Sequence, residues 1–201
     1  MRELVFMLEE VSAKACLESL LPRFLDPRIA PRMVAFEGKQ DLEKQLVKRL
    51  RGYLNPNARF IVMRDQDNAP DCKRIKSELL DLCQSAGRRR VSMVRIACRE
   101  LETFYLADLQ AVEIAFGLPG LALQQRKRRF RQPDALGSPS RELTSLTRGA
   151  YQKVNGSRLL GKRLDLDNER SCSFKNLVQG IRRLEAELLG MPEVGWASQA
   201  V

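Results

Sequence analysis

Arg59-Phe60-Ile61-Val62-Met63-Arg64-Asp65-Gln66-Asp67 is the stretch on which the reading of this chain turns. Phe60 to Met63 is a short apolar run rich in β-branched and aromatic residues, which predicts a buried strand. It stops at two aspartates one residue apart. In an extended chain, side chains at i and i+2 point the same way, so Asp65 and Asp67 share a face if strand geometry persists through both. Carboxylates that close repel unless a proton or a cation intervenes. A hard divalent ion such as Mg²⁺, which prefers oxygen ligands, relieves the repulsion. The same pattern also reads as an acidic turn capping the following helix, and the dipeptide alone leaves both open.

Working outward, the pattern repeats. Leu4 to Leu8 is a continuous apolar run, the signature of a strand buried on both faces, and it too stops at acid, Glu9 and Glu10. Ser12 then suits the cap of a helix whose apolar face is Leu17, Leu20, Leu21, Phe24 and Leu25, with Pro22 kinking or ending it. Met33 to Phe36 predicts a second strand, and Leu42, Leu46, Leu50 and Leu54 one side of the next helix. After the central strand, Ile75, Leu79, Leu82, Cys83 and Ala86 make an amphipathic helix closed by Gly87. Val91 to Ala97 predicts a fourth strand, and Leu101, Phe104, Tyr105, Val112 and Phe116 one long helix ending at Gly117. Strands alternating with helices imply right-handed βαβ units and a largely parallel sheet. Ligands bind such sheets outside the carboxyl ends of the strands, the edge on which Glu9, Glu10, Glu37, Asp65, Asp67 and Glu100 are expected.

Beyond Gly120 the pattern changes. Arg126, Lys127, Arg128, Arg129 and Arg131 surround Phe130, a segment suited to phosphate contact or to a solvated loop. Pro133 to Pro139 reads as a linker, Glu142 to Tyr151 as a helix, and Lys153 to Arg158 as a basic turn. Ser173 is the expected cap of a last helix carrying Phe174, Leu177, Val178, Ile181, Leu184 and Leu188, with Gly190 at its end. The expected organisation is a core over 1–118, a basic loop and helical extension over 119–190 packing on it, and a flexible tail over 191–201.

Composition narrows the chemistry. The 201 residues hold no histidine, which excludes Ser-His-Asp and Cys-His catalysis, any histidine-based nuclease, and the usual zinc ligand. Chemistry at neutral pH then falls to carboxylates with a metal, or to lysine. The five scattered cysteines read as reduced core thiols of a cytoplasmic protein. No apolar run approaches membrane-spanning length, and Glu3, Glu9 and Glu10 interrupt any signal-peptide pattern at the start. The formal charge of +10 points to nucleic acid or an acidic partner, and equally describes a basic solvated surface.

A strand ending in Glu, a βα unit, and a strand ending in Asp-x-Asp together resemble the Toprim domain of topoisomerases, primases and nucleases of the overcoming-lysogenization-defect type. Between Glu9 and Asp65 (65 − 9 = 56 residues) there is room for the helix, strand and helix that this topology requires. Residues 3 to 188 also resemble a bacterial family of small standalone Toprim-like proteins of unknown function. The phrases that carry it are Leu8-Glu9-Glu10-Val11-Ser12-Ala13-Lys14, Phe36-Glu37-Gly38-Lys39-Gln40-Asp41, Arg64-Asp65-Gln66-Asp67, Ile96-Ala97-Cys98-Arg99-Glu100-Leu101-Glu102, Tyr151-Gln152-Lys153 with Gly156-Ser157-Arg158, and Ser171-Cys172-Ser173-Phe174.

The resemblance implies an α/β fold: a Toprim-like (Rossmann-like), largely parallel four-stranded sheet flanked by helices, with a C-terminal helical extension. It implies phosphodiester hydrolysis dependent on Mg²⁺ or Mn²⁺. Glu9 matches the Toprim glutamate, Asp65 and Asp67 the Asp-x-Asp, and Lys153 the lysine near the scissile phosphate. Glu10 and Glu100 are further metal candidates, and Glu102 is an additional acid that also reads, like Asp108, as an ordinary solvated or capping charge. Arg126, Lys127, Arg128, Arg129, Arg131 and Arg158 are the expected grip on nucleic acid, DNA favoured over RNA. The resemblance further implies an ATPase of the AAA/ABC type encoded nearby, an anti-phage defence role, and no membrane; homo-oligomerisation stays open. Two departures stand out. Toprim domains usually place Gly directly after the first acid, where this chain has Glu10, and a Glu-Gly-x-x-Asp phrase occurs instead at Glu37 to Asp41. Glu9 is favoured over Glu37 as the first acid because Glu37 to Asp65 leaves no room for an intervening strand. The competing expectation is a non-catalytic Toprim-like module that binds nucleic acid or its ATPase without cutting.

Overall fold

The computed structural model describes residues 1–191; Trp196 and nearly all of the predicted tail lie outside the described residues. Four strands, β1 (Arg2–Leu8), β2 (Ile29–Ala35), β3 (Ala58–Asp65) and β4 (Ser92–Ala97), form one parallel sheet in the order β2-β1-β3-β4. The helices α1 (Val11–Leu20), α2 (Lys39–Arg51) and α3 (Cys72–Ser85) make the crossovers. This is the α/β, four-stranded parallel architecture expected from the alternating pattern.

The pleat explains why the central strands are apolar throughout. Leu4, Phe6 and Leu8 of β1 and Ile61 and Met63 of β3 enter one core with α1 and the C-terminal helices. Val5, Met7, Phe60 and Val62 enter a second core beneath α2 and α3. Successive side chains take opposite faces, so a strand covered on both sides has no polar phase. The chain leaves β1 toward β2 on one side and β3 toward β4 on the other, so the winding direction reverses between β1 and β3. In open parallel sheets that reversal opens a crevice at the carboxyl ends of the two strands. Glu9 and Asp65 stand there.

Past β4 come α4 (Glu102–Leu106), α5 (Leu109–Phe116), α6 (Leu121–Gln124), α7 (Arg128–Arg131), α8 (Pro139–Leu146), α9 (Lys153–Gly161) and α10 (Cys172–Leu189). Phe130, Leu143, Leu160, Phe174, Leu177 and Ile181 share the core of Leu4 and Phe6, so the C-terminal helices complete the face of the sheet that α1 covers only in part. Helices α9 and α1 pack closely: a Cβ on Gly161 would lie 2.3 Å from the Cys16 carbonyl oxygen.

Several local expectations are corrected. Leu54 is 92% exposed and lies beyond α2, because the helix ends at Arg51 and Gly52. The long helix expected over 101–116 is two, broken where Asp108 leaves helical geometry (φ −136°) and its carboxylate accepts the Ala111 N–H. The basic turn is the start of α9, whose Gly156 leaves room for the Tyr151 ring. The linker is held down: Pro133 and Pro139 are buried, and Asp134 accepts from the Ser171 hydroxyl and the Ser173 N–H. Ser171, not Ser173, caps α10, accepting the Phe174 N–H at 3.1 Å. Cys16 and Cys83 are core thiols, whereas Cys172 is exposed; all five cysteines are free.

Candidate active site

Glu9 continues the β1 ladder for one more step, its N–H donating to the Met63 carbonyl at 3.1 Å. Its side chain turns across the crevice, and Oε2 accepts the Asp65 N–H at 2.9 Å. Two segments far apart in sequence are thus joined at the rim of the sheet. Glu10 begins α1 without making a side-chain cap. Its carboxylate instead receives Lys153 Nζ at 2.9 and 3.2 Å and the Ser12 hydroxyl. Ser12 therefore serves Glu10 and is not the helix cap expected of it. Lys153, the first residue of α9, reaches Glu10 because α9 lies directly on α1.

Asp65 closes β3, and its Oδ2 accepts the Leu101 N–H at 3.2 Å. Immediately after Leu101, Glu102 is fully buried. Its Oε1 accepts the Tyr151 hydroxyl at 2.8 Å, and its Oε2 is buried with no hydrogen-bond partner. Burial raises the Asp65 carboxyl well above the usual aspartate range, and the charges of Glu10, Glu9 and Glu102 add to the rise. Burial also raises Glu9, against the Asp65 N–H bond that lowers it and with the charges of Asp67 and Glu10. Glu102 is raised by burial, despite the Tyr151 bond and the nearby Lys153 charge. Burial works to lower Lys153, but the bond to Glu10 and the charges of Glu10, Glu102 and Asp65 outweigh it and raise the ammonium. Four carboxylates and one lysine therefore share a partly desolvated field.

Asp67 does not share an extended face with Asp65. Strand geometry ends at Asp65, and Asp67 adopts φ +54°, in the left-handed region that non-glycine residues visit at a cost. Its N–H donates to the Arg99 carbonyl at 2.7 Å and its carboxylate accepts Lys39 Nζ at 2.8 Å. Asp67 still acts on Glu9 through its charge. Glu100 is engaged on its other side, Oε2 accepting the Ser140 N–H at the start of α8 at 2.6 Å. Glu37 is exposed. The basic segment forms the short α7 around the buried Phe130: Arg126, Lys127, Arg128 and Arg131 are exposed, and Arg129 pairs with Glu142 at 3.0 Å. Arg158 is exposed on α9. Among the described residues, none of these cations bonds a member of the acid cluster.

A family model described as a domain of unknown function (DUF4276) matches residues 8–182. The chain belongs to the DUF4276 family. A solved structure, the C-terminal region of the Burkholderia pseudomallei OLD protein, is similar to this DUF4276 chain, with 15% identity and a TM-score of 0.52 over 92% of this chain and 98% of that one. That likeness shows a common, Toprim-like fold. No curated protein sequence matches the chain.

In this DUF4276 protein the donor set suits a hard divalent cation: every ligand atom on offer is a carboxylate oxygen, Glu102 Oε2 is buried and unpartnered, and Asp65 sits among like charges. As they stand, no three acid or thiol side chains among the described residues converge closely enough to hold an ion, and Glu10 and Asp67 are turned onto Lys153 and Lys39. Two members of the site had only a faint sequence signal. Glu102 is a lone acid in the apolar run Leu101 to Leu106, where a solvated charge is out of place. Lys39 follows Gly38, whose N–H donates to the Glu9 carbonyl at 2.9 Å; only the fold shows that this loop touches the first acid.

Proposed function

We propose that this DUF4276 protein is a nuclease of the Toprim type that hydrolyses phosphodiester bonds with Mg²⁺ or Mn²⁺, with DNA favoured over RNA. The observation that carries the reading is the Glu9–Asp65 contact at the switch point of the sheet, within the charge field of Glu10, Glu102 and Lys153. Glu9, Asp65 and Glu102 would hold the cation, with Glu10 and Asp67 joining once released from their lysines and Glu100 in reserve beside them. The cation would supply an acidified water and offset phosphate charge. Lys153, freed from Glu10, would hold its ammonium against the negative charge that develops on the phosphate oxygens. Tyr151 holds Glu102 in place through its hydroxyl. Arg126, Lys127, Arg128, Arg129, Arg131 and Arg158 would grip the backbone in a salt-sensitive manner. An ATPase partner and an anti-phage role in the cytoplasm rest on the family resemblance alone, and co-purification with the neighbouring gene product tests them.

The direct test incubates supercoiled plasmid with the purified protein in Mg²⁺, in Mn²⁺ and in chelator. Cleavage should require the cation and fall roughly 100-fold or more in Asp65→Asn. Cleavage in chelator, or undiminished cleavage by that variant, overturns the reading.

One observation favours a second reading, a regulatory module that binds nucleic acid or an ATPase without cutting. Lys153 and Lys39 themselves neutralise Glu10 and Asp67. Salt-dependent binding of nucleic acid without any nicking, in either cation, would decide for the module.

A further inference from the structure

Glu10 follows the first acid of the site, and its carboxylate is held from two sides. Oε1 accepts the Ser12 hydroxyl, while Lys153 Nζ donates to Oε2 at 2.9 Å and to Oε1 at 3.2 Å. We propose that Ser12 is a positioning residue for the cation site, fixing Glu10 by Oε1 while Oε2 is exchanged between Lys153 and the cation. The inference rests on the metal-dependent reading above and adds to it which bond at Glu10 breaks and which stays.

Exposure to water decides between the two bonds. Ser12 is the second residue of α1 and only 2% exposed, and Glu10 is the one acceptor of its hydroxyl among the described residues. A buried hydroxyl that loses its acceptor gains no water in exchange, so that bond is costly to break. The Lys153 side chain is 52% exposed. Its ammonium, on leaving Glu10, is solvated at once, and an exposed ion pair contributes little net stability. The weaker hold is therefore the one on Oε2. Helix α1 keeps the stronger hold in place, because Ala13, Cys16 and Leu17 anchor it in the core and Ser12 cannot follow a carboxylate that swings away.

The oxygen that Lys153 gives up belongs to the acid that acts most strongly on Asp65. After burial, the charge of Glu10 raises the Asp65 carboxyl more than those of Glu9 and Glu102 do. A cation bound to Glu10 relieves the largest of those repulsions, and the same step releases the Lys153 ammonium to a phosphate. Lysine and cation compete for one oxygen, so the two arms of the proposed chemistry are set together. Glycine, which the Toprim pattern has at this position, could take no part in such an exchange.

The test reads metal affinity by calorimetric titration of Mn²⁺ without nucleic acid, so that no turnover is needed. Ser12→Ala should weaken binding about tenfold, and Ser12→Thr, which keeps the hydroxyl, should stay within about threefold of wild type. Lys153→Met removes the competitor and should tighten binding about tenfold. In a Glu10→Gln background both effects should shrink below about twofold, since each acts through the Glu10 carboxylate. Structural damage from Ser12→Ala, or simple repulsion between Lys153 and the ion, would persist in that background. Should Ser12→Ala lose its fold by circular dichroism, Ser12→Cys, of similar size and a weaker donor, takes its place. Ser12→Ala binding as wild type does, or losing as much in the Glu10→Gln background, overturns the proposal, as does a Lys153→Met gain that survives there. The nuclease reading stands in each of those cases so long as wild type binds Mn²⁺ and Asp65→Asn does not. A wild type that binds no Mn²⁺ removes both.

Discussion

A carboxylate faced by three others is stable only with a proton or a cation nearby, and among the described residues no lysine or arginine is bonded to Asp65. Asn in its place keeps an acceptor for the Leu101 N–H and removes one of the clashing charges. Asp65→Asn should therefore stabilise the cation-free protein by about 1 kcal/mol while abolishing cleavage, the trade expected where function strains the fold. Urea denaturation at pH 8 in chelator checks this, and a less stable variant would contradict it. Glu102 gives the opposite sign. Tyr151→Phe strips Oε1 of its bond while Oε2 already has none, and should cost about 1–3 kcal/mol. Equal midpoints for Tyr151→Phe and wild type would show that the bond carries no weight. At this scale the sequence was uneven. Glu9 and Asp65 are legible because each ends an apolar run. The orientation of Asp67 is not, since it depends on a left-handed residue held by the Arg99 carbonyl, 32 positions away (99 − 67 = 32). The burial of Glu102 depends on Tyr151, which sequence pattern cannot bring to it.

The decisive element contact is α9 on α1, since it carries Lys153 to Glu10. Gly161 permits it: a methyl there would meet the Cys16 carbonyl at 2.3 Å and the Ser19 Cβ at 3.1 Å. Backbone cannot give way as a flexible side chain can, so Gly161→Ala should push the helices apart and cost about 1–3 kcal/mol, even though alanine favours helix over glycine. It should also depress activity by displacing Lys153, whereas Gly52→Ala, at the surface end of α2, should be mild. A neutral Gly161→Ala would mean that the packing relaxes without strain. Helix boundaries were harder to read than strands. Apolar spacing predicts one helix from Leu101 to Phe116, but Asp108 ends it by capping α5 and also accepting the Asp165 N–H at 2.8 Å. Likewise Lys-Val-Asn-Gly reads as a turn, and only the Tyr151 ring against Gly156 explains glycine inside a helix. Periodicity registers which face is buried, not which distant group a polar residue will bond.

For the whole molecule, the switch point between β1 and β3 places the acids of both strands at one rim, and that much follows from strand order. Alternating elements and acid-terminated runs anticipate the α/β parallel fold and its acidic carboxyl edge, whereas the strand order is seen only in the structure. Lys153 was expected there through the family resemblance, but Lys39 could not be, because it arrives with α2 from the opposite face of the sheet. The summed electrostatics yield a pH dependence with a definite sign. Glu9, Asp65 and Glu102 have folded-state pKa values raised above their ordinary ones of 4.5, 3.8 and 4.5. The folded state therefore binds more protons than the unfolded state above that range, and stability falls as pH rises through the raised values. Glu3, Asp41 and Glu169 are lowered. For Glu3 burial opposes the fall and the Asn55, Tyr53 and Arg32 bonds outweigh it, while hydrogen bonds lower Asp41 and Glu169. Their contribution is present above the ordinary carboxylate range and lost as pH drops below it. In chelator, stability should thus be greatest just above the ordinary carboxylate range and decline as pH rises through the raised values of Glu9, Asp65 and Glu102. A divalent cation competes with the bound protons, so its stabilising effect should grow over the same interval, reaching about 2.7 kcal/mol when its concentration is 100 times the dissociation constant. Melting curves at pH 5, 6, 7 and 8, with and without Mg²⁺, separate the two limbs, and Asp65→Asn should flatten both the decline and the rescue. A cation-free melting point that climbs steadily to pH 8, with no Mg²⁺ effect at any pH, would mean that the rim acids are fully compensated by Lys39 and Lys153 and need no ion.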